Sequence, residues 1–243
     1  STDGTTYENV PNGTTATVNN WIPRTVGTYY VKVTTTSVGG TTTSTTVNVT
    51  IYDAPTITNI TANPTQGGAT TPITLNITTD GKGAQVTSIK WYDGDTLIEE
   101  TSQTTITYTP TTIGTHTITA KATSVGGTTT SSPITVIIYD VPIITEITVN
   151  PSEGNSTTPF TLSATYDGQG TSIDSYQWQY STNGTTYQNV PNGNVATVNN
   201  WVPGTVGTYN LKVTATRVGG TTTSTIATFT IYQAPTISNV TVT

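Results

Sequence analysis

One stretch of sequence occurs twice in this chain and decides the fold. Residues 1–33 read STDGTTYENVPNGTTATVNNWIPRTVGTYYVKV, and residues 181–213 read STNGTTYQNVPNGNVATVNNWVPGTVGTYNLKV. The likeness continues further, since 39 of the 54 positions are identical between residues 1–54 and residues 181–234. The chain of 243 residues is therefore built by internal repetition, which has to be recognised before any single element is assigned.

A weaker third copy lies between these two and sets the repeat boundaries. The string VGGTTTS occurs three times, and each occurrence is followed by a strand-like run that ends in Ile-Tyr. A proline follows after two linker residues, at Pro55, Pro142 and Pro235. These prolines predict two complete repeats, 55–141 (87 residues) and 142–234 (93 residues), which together match the 180-residue offset of the long copies. Residues 1–54 are then the C-terminal half of a repeat, and residues 235–243 the first strand of a following one.

Each repeat is predicted to be all-β. Thr, Val, Ile and Tyr dominate, and no helix-length run of Ala, Leu, Glu or Lys is present. In the repeat 142–234, apolar residues alternate with polar ones along two runs, at Phe160, Leu162 and Ala164 and again at Tyr209, Leu211, Val213 and Ala215. The alternation predicts tandem two-sheet sandwiches of about seven or eight short strands each.

The pattern of this repeat resembles that of immunoglobulin-like domains. Trp178 stands in the third strand, and the sixth carries Gly-Thr-Tyr-x-Leu-x-Val with Tyr209 at the corner position. The resemblance implies that the tyrosine hydroxyl ties back to the backbone and that Leu211 and Leu162 replace the usual disulfide. The sequence is similar to the cysteine-free immunoglobulin-like repeats of prokaryotic (bacterial or archaeal) cell-surface, adhesin and filament proteins. That resemblance covers essentially the whole chain and implies no activity.

The other two copies carry the same signature with one departure. In the middle repeat, Trp91 and His116 stand at the places of the tryptophan and the corner tyrosine, and Tyr29 stands at the corner in residues 1–54. Because histidine replaces tyrosine in the middle repeat, we expect its corner hydrogen bond to be weakened or rewired.

Composition excludes several classes of function. Seven basic against thirteen acidic side chains give a net charge of −6 and leave no cationic surface for a nucleic acid. No run approaches the roughly 20 apolar residues of a membrane span, so no membrane insertion is predicted for this segment. With no cysteine and a single histidine, disulfides, thiolate metal sites and histidine-based catalysis are not expected.

The few candidate chemical groups have simple structural interpretations. The acidic cluster of Asp93, Asp95, Glu99 and Glu100 begins in an Asp-Gly turn, which we interpret as a solvated turn instead of a calcium loop. We interpret His116 as a residue at the edge of the core, since a general base needs a partner within reach. The sequence therefore predicts no enzyme activity, no cofactor and no metal site.

Repeated aromatic residues allow two interpretations. Trp21 and Trp201, with Tyr108 at the matching place in the middle repeat, stand at strand ends and could stack on a sugar. An aromatic residue at one place in every copy favours core or corner packing instead. A second set stands one residue before each linker and is expected to pack at the junctions between repeats: Tyr52, Tyr139 and Tyr232.

Seven Asn-X-Ser/Thr sequons make the chain a candidate glycoprotein. Many sequons arise by chance in a sequence so rich in Thr and Asn, and we expect only some to be occupied. Asn48 and Asn76 fall at outward strand positions, and Asn12 and Asn183 fall at turns. The full set is Asn12, Asn48, Asn59, Asn76, Asn155, Asn183 and Asn239.

The linkers suggest how the repeats work together. Asp53-Ala54, Asp140-Val141 and Gln233-Ala234 each join a strand to a proline and are too short for free movement. The expected result is a stiff array, and the predicted role is a non-enzymatic stalk or filament segment of an extracellular surface protein. Its threonine-covered edges also suggest lateral bundling. The alternatives are a glycan- or protein-binding module and a pilin-like subunit that polymerises by strand donation.

The incomplete repeats at the two ends leave two arrangements open. Half a sandwich cannot bury its inner face, so residues 1–54 need further strands. Either the sequence is a window on a longer tandem array whose neighbouring repeats are its partners, or identical subunits lend strands to one another. We favour the window, because residues 235–243 would restore only one of the missing strands.

Overall fold

The structure is a computed structural model that describes residues 1–241, and over that range it contains strands and no helix. The predicted all-β class is therefore confirmed. β-branched and aromatic residues, which suit a pleated and half-buried surface, fill most strand positions.

The strands follow the copies of the repeat. Residues 1–54 contain β1 (Gly27–Val31), β2 (Thr34–Ser37), β3 (Gly40–Thr43) and β4 (Val47–Ile51). Residues 55–141 contain β5 (Thr56–Asn63), β6 (Gln66–Gly68), β7 (Ile73–Asp80), β8 (Val86–Asp93), β9 (Thr96–Thr101), β10 (Thr105–Tyr108), β11 (Gly114–Ser124), β12 (Gly127–Thr130) and β13 (Ile134–Tyr139). Residues 142–234 contain β14 (Ile143–Asn150), β15 (Glu153–Asn155), β16 (Phe160–Asp167), β17 (Ser175–Ser181), β18 (Gln188–Asn189), β19 (Thr197–Trp201), β20 (Gly207–Arg217), β21 (Gly220–Thr223) and β22 (Ala227–Tyr232).

Two sheets form the repeat 142–234. One has the order β14-β16-β19, and the other has the order β15-β22-β20-β17-β18 with β21 beside β20. β15 pairs with β22 in parallel, and the other pairs are antiparallel. Both sheets contribute to one buried cluster, which includes Phe160 and Leu162 from the first and Trp178 and Leu211 from the second. This arrangement is the predicted two-sheet sandwich of the immunoglobulin-like class.

The last strand of each copy is split at a serine. The Ser224 amide donates to the Val213 oxygen at 2.9 Å, and the Val213 amide donates to Ser224 Oγ at 3.0 Å. The hydroxyl thus takes the place of a main-chain acceptor, and the same pair of bonds recurs at Ser131 and Ser44. β12 with β13, and β21 with β22, are therefore each one interrupted strand, and a complete repeat has about eight strands.

The middle repeat has the same sheet orders. They are β10-β7-β5 and β6-β13-β11-β8-β9, with β12 beside β11. Alternate residues of β7 and β11 are buried, as the period of two predicts, and Leu75, Trp91 and Ile118 are fully inaccessible to solvent.

Residues 1–26 form no strand, although most of their sequence recurs in residues 181–206, where β18 and β19 form. β18 pairs with β17, and β19 pairs with β16. Residues 1–54 contain no counterpart of either partner strand. The two similar sequences have different local structures, because a strand needs a neighbouring strand to satisfy its backbone donors and acceptors.

The chain divides into two compact units. The first consists of Ser1–Asn63, Thr74–Tyr108 and His116–Thr135, and the second of Pro64–Ile73, Thr109–Thr115 and Val136–Thr243. This division runs within the middle repeat, so the boundaries at the prolines stay predictions. Residues 235–241 are exposed and contain no strand, and positions 242 and 243 of the strand expected there lie outside the described residues.

Candidate functional site

A tyrosine corner fixes the turn before β20. The buried Tyr209 donates a hydrogen bond of 3.1 Å from its hydroxyl to the main-chain oxygen of Thr205, and it also lies against that residue's hydroxyl. Tyr29 makes the matching bond of 3.0 Å to the oxygen of Thr25. The corner therefore closes a local turn at the start of a long central strand.

The middle repeat replaces this corner with a carboxylate network. His116 Nδ1 lies 2.5 Å from Oδ2 of Asp93, and the Tyr108 hydroxyl donates to the same oxygen at 2.8 Å. The Asp93 side chain is only 20% exposed. Asp93 is therefore not the solvated turn residue that its Asp-Gly sequence suggested. The rewiring expected of His116 thus consists of a bond to an acid at the end of β8.

The same network changes the acidity of Tyr108. Burial, and next the hydrogen bond to the Asp93 carboxylate, raise the pKa of Tyr108 to about 12. The phenol is therefore neutral at physiological pH and acts as a hydrogen-bond donor. A neutral, partly buried phenol of this kind suits a structural hydrogen bond.

The other acids of the predicted cluster do not converge. Asp95 and Glu99 are exposed, while Glu100 accepts a 2.7 Å hydrogen bond from Ser88 and lies 3.4 Å from the Lys90 amine. The Ser88 hydroxyl is the main reason why the pKa of Glu100 is lowered. Within residues 1–241, no three His, Asp or Glu side chains lie close enough together to hold a metal ion.

The two signature tryptophans are both buried but differ in one bond. The Trp178 indole donates to the main-chain oxygen of Val195 at 3.0 Å. The Trp91 indole nitrogen has no acceptor among the described residues. Each ring fills the interior of its repeat, and the polar tie to the facing loop is specific to the repeat 142–234.

The aromatic residues at the strand ends pack against other rings. Trp201 is almost fully buried, with its ring centre 5.2 Å from that of Tyr180 and 5.8 Å from that of Phe229. Trp21 packs edge-on against Tyr29 at 5.6 Å and is half-buried. These contacts place Trp201 in the core and leave it no free face on which a sugar could stack.

The structure places all seven sequon asparagines at exposed positions. In two of them the side-chain oxygen caps the following turn. Asn183 Oδ1 accepts bonds from the amide and the hydroxyl of Thr185 at 3.0 and 3.1 Å, and Asn155 Oδ1 accepts the same pair from Thr157 at 2.9 and 2.8 Å. Asn76 instead donates its amide nitrogen to Thr105 Oγ1 at 3.1 Å. Exposure makes every site accessible to modification, and occupancy stays a prediction.

In both complete repeats, the first glycine of the VGG turn packs directly against the linker that precedes the repeat. A Cβ added to Gly219 would overlap the main-chain oxygen of Asp140, and one added to Gly126 would overlap that of Asp53. Only a residue without a side chain permits this approach of two backbones. The equivalent Gly39 has Ser37 Oγ as its nearest neighbour, at 3.6 Å.

Arg217 completes the contact at the linker 140–141 and was not singled out from the sequence. Its Nε donates to the Asp140 oxygen at 2.9 Å, its Nη2 reaches the same atom, and its Nη1 contacts the Gly168 oxygen and Thr171 Oγ1. The guanidinium also lies 5.6 Å from the Tyr139 ring centre. Arg217 stands at the next inward position of the alternation that begins at Tyr209, so the pattern itself marked it as buried. The other copies have serine at this place.

A groove on the repeat 142–234 is lined by four asparagines together with valine, threonine, proline and tryptophan side chains. Its walls come from residues 191–202 and include Asn192, Asn199, Asn200 and Trp201, with no acidic, basic or histidine side chain. Amides and an indole edge can hydrogen-bond a polar ligand but cannot transfer protons near neutral pH. The groove therefore offers binding chemistry without general acid or base chemistry.

Comparison with known proteins finds likeness at the level of structure. No family model and no curated protein matches the sequence. The fibronectin(III)-like modules of CbhA from Clostridium thermocellum resemble 72% of this chain over 95% of their own, at 17% identity and a TM-score of 0.39. A run of titin domains resembles 86% of the chain over 75% of its own, at 19% identity and a TM-score of 0.48.

A third similar structure comes from a phage capsid. The three N-terminal domains of the highly immunogenic outer capsid protein Hoc of bacteriophage RB49 resemble 74% of this chain, at 18% identity and a TM-score of 0.40, and the chain covers 59% of that structure. The described part of the chain has no helix long and apolar enough to cross a membrane. At these identities no function is transferred, and the fold assignment depends on the strand order and the core described above.

Proposed function

We propose that this chain is a non-enzymatic structural segment of an extracellular surface protein, in which tandem immunoglobulin-like repeats provide length and stiffness. The observation that carries the proposal is the seating of Gly126 and Gly219 on the linker oxygens of Asp53 and Asp140. A linker of two residues that is also held by the following turn has little freedom to bend.

Arg217 supports stiffness at the linker 140–141 in particular. Its guanidinium is nearly fully buried, and it joins the linker oxygen to the turn at residues 168–171. A planar fork with several donors loses little freedom for each bond that it forms, so it suits a fixed geometry. Moving the linker would take the Asp140 oxygen away from Nε and Nη2 of this buried cation, and two buried donors without an acceptor are costly.

The surface chemistry supports an extracellular location. Threonines pair across the hairpins, for example Thr214 with Thr223 and Thr216 with Thr221, each with 3.0 Å between hydroxyl oxygens. Such a surface is polar, carries few charges and presents exposed sequons, and the chain has no cysteine or methionine that oxidants could attack. Absence of catalysis belongs to the same proposal, because the acids do not converge and the groove lacks titratable groups.

A second candidate function is glycan binding by the repeat 142–234. The groove lined by Asn192, Asn199 and Asn200 is the observation in its favour, since amides are common partners of sugar hydroxyls. A glycan array probed with the chain and with an Asn199→Ala, Asn200→Ala variant would separate the two candidates. Binding that the variant loses would favour the second candidate.

Distance measurement between spin labels tests the stiffness directly. The chain has no native cysteine, so Thr130→Cys and Thr223→Cys give two unique labels on opposite sides of the linker 140–141. A narrow distance distribution that broadens in Arg217→Ala is the expected result. A distribution that is already broad in the parent contradicts the proposal.

The denatured size of the native polypeptide tests the role in an array. A species much larger than 25.5 kDa, carrying further copies of the repeat, is the expected result. A native species of 25.5 kDa would contradict a continuous array and favour subunits that complete one another.

A further inference from the structure

The sequence contains three Asn-Gly pairs, and the structure sets one of them apart. Such pairs are chemically labile, because glycine has no side chain to hinder attack of its main-chain nitrogen on the preceding side-chain amide. In the pairs 12–13 and 192–193 the glycine amide donates to a valine main-chain oxygen, at 2.9 Å in both. The Gly184 amide has no acceptor among residues 1–241. Of the three pairs, Asn183-Gly184 is therefore the one with an uncommitted attacking nitrogen.

The side-chain oxygen of Asn183 lies in a nest of hydrogen-bond donors. Ser181 Oγ donates to it at 2.9 Å, and the Thr186 amide donates at 2.8 Å. The amide and the hydroxyl of Thr185 add bonds of 3.0 and 3.1 Å. Negative charge develops on this oxygen when a nucleophile adds to the side-chain carbon, and donors already aimed at the oxygen lower the barrier. The loop thus activates the amide that lies next to the uncommitted nitrogen.

The first copy of the loop already carries the product of such an attack. At the 180-residue offset, Asn183 corresponds to Asp3, and the sequences STNGTTY and STDGTTY otherwise agree. Asp3 Oδ1 accepts hydrogen bonds from the Thr6 and Thr5 amides at 2.7 and 2.8 Å, and from the Ser1 hydroxyl at 2.8 Å. These bonds hold the pKa of Asp3 well below its usual range. The same loop therefore accommodates either an amide or a carboxylate at this place.

We propose that Asn183 is a site of spontaneous conversion to aspartate, with water as the co-reactant. The Gly184 nitrogen forms a bond to the side-chain carbon of Asn183, and the side-chain nitrogen leaves as ammonia with the proton that Gly184 gives up. Water then opens the resulting cyclic imide. Cleavage between the former side-chain carbon and the Gly184 nitrogen gives aspartate, and cleavage of the original main-chain bond gives isoaspartate. The step consumes one water, releases one ammonia and needs no oxidant or reductant.

The nest also favours aspartate over isoaspartate. Its donors polarise the side-chain carbonyl, so that water adds at this carbon and restores the original main chain. The product carboxylate then takes the place that Asp3 has in the first copy. Each conversion adds one negative charge near neutral pH and removes the sequon at position 183, just as the first copy has no sequon at position 3. The inference goes beyond the proposed structural role, because it concerns how the surface of the chain changes with age.

Peptide mass spectrometry of the folded chain, incubated at mildly alkaline pH and sampled over time, tests the proposal. Asn183 is expected to deamidate at least about tenfold faster than Asn192, and mainly to aspartate. In concentrated urea, where neither loop is formed, the two pairs should react at similar rates. Equal rates in the folded chain, or a faster reaction at Asn192, would overturn the proposal. The same preference for Asn183 in urea would assign the difference to sequence alone and would also overturn it.

The Ser181→Ala variant tests the nest itself. It removes one donor to the Asn183 oxygen, so deamidation of Asn183 is expected to slow by about two- to tenfold, the contribution of one ordinary hydrogen bond. Thr182→Ala, at an exposed neighbouring position, is the matched control and should react like the parent. Urea midpoints show that both variants fold. A rate in Ser181→Ala equal to or above that of the parent would show that the donors do not activate Asn183, which overturns the proposal.

Discussion

Arg217 Nε donates a 2.9 Å hydrogen bond to the main-chain oxygen of Asp140, a residue 77 positions earlier in the chain. The bond joins the end of strand β20 to the linker that precedes its own repeat. The arginine thus holds the linker against its own repeat. The other copies lack this bond because they carry serine at this place.

Replacing Arg217 with alanine should destabilise the repeat 142–234 by about 2–4 kcal/mol, because the oxygens of Asp140 and Gly168 lose their donors in a buried place. Urea unfolding followed by tryptophan fluorescence measures this change. Arg24→Ala, at an exposed position, is the control and should leave the midpoint unchanged. A midpoint for Arg217→Ala equal to that of the control would show that these bonds contribute nothing.

A methyl group at the VGG turn should be harmful only where the turn meets a linker. Gly219→Ala and Gly126→Ala should each cost about 1–3 kcal/mol, because the new Cβ would overlap a linker oxygen. Gly39→Ala is the matched control at the equivalent place, where the nearest atom is 3.6 Å away. Thermal unfolding of the three variants tests the difference, and equal effects at all three positions would contradict it.

Alkaline pH should destabilise the middle repeat. The pKa of Tyr108 is raised to about 12, so the folded chain keeps this phenol neutral while the unfolded chain ionises it from about pH 10. The contribution of Tyr108 to the free energy of unfolding is complete below pH 10 and is lost as the pH rises from 10 to 12. The protection of the β10 and β11 amides against hydrogen exchange, taken relative to an unfolded chain at the same pH, should therefore fall over this window.

The Tyr108→Phe variant isolates that contribution. Its exchange in β10 and β11 should depend less on pH between 10 and 12 than that of the parent. Burial also raises the pKa of Tyr176 in the other complete repeat, so exchange there should keep its own alkaline dependence in this variant. An unchanged pH profile in β10 and β11 would refute the assignment to Tyr108.

Asn183 should contribute to stability through its oxygen. Asn183→Ala removes the acceptor of the Thr185 and Thr186 amides and should cost about 1 kcal/mol. Asn183→Asp keeps an acceptor oxygen at the same place and should stay close to the parent. Urea midpoints of the two variants test this, and an equal loss in both would point to the amide nitrogen instead.

Alternation and repetition were sufficient to predict the core. The apolar side of β16 and β20, from Phe160 to Ala215, is buried as the period of two requires. Leu162 and Leu211 are fully buried, in accordance with the resemblance to cysteine-free immunoglobulin-like repeats. These features depend only on local sequence and on the need to bury one face of a strand.

The features that the sequence did not predict depend on contacts between residues that are far apart in the chain. The contacts of Arg217 with residues 140 and 168 and those of Asp93 with residues 108 and 116 join parts of the chain that no local pattern relates. Residues 17–21 have the same sequence as β19, and residues 8–9 differ from β18 only by Glu8 in place of Gln188. Neither segment forms a strand, because pairing partners decide strand formation. Local propensity is too weak to outweigh missing partners.

The dependence of each strand on its neighbours has a consequence for the lifetime of such a protein. Proteases cleave extended, exposed backbone and spare paired strands. A repeat that has lost neighbour strands would therefore present a cleavage site, while the paired strands of a complete repeat do not. Any break that strips strands from a repeat would mark the damaged end for trimming, back to the nearest intact sandwich.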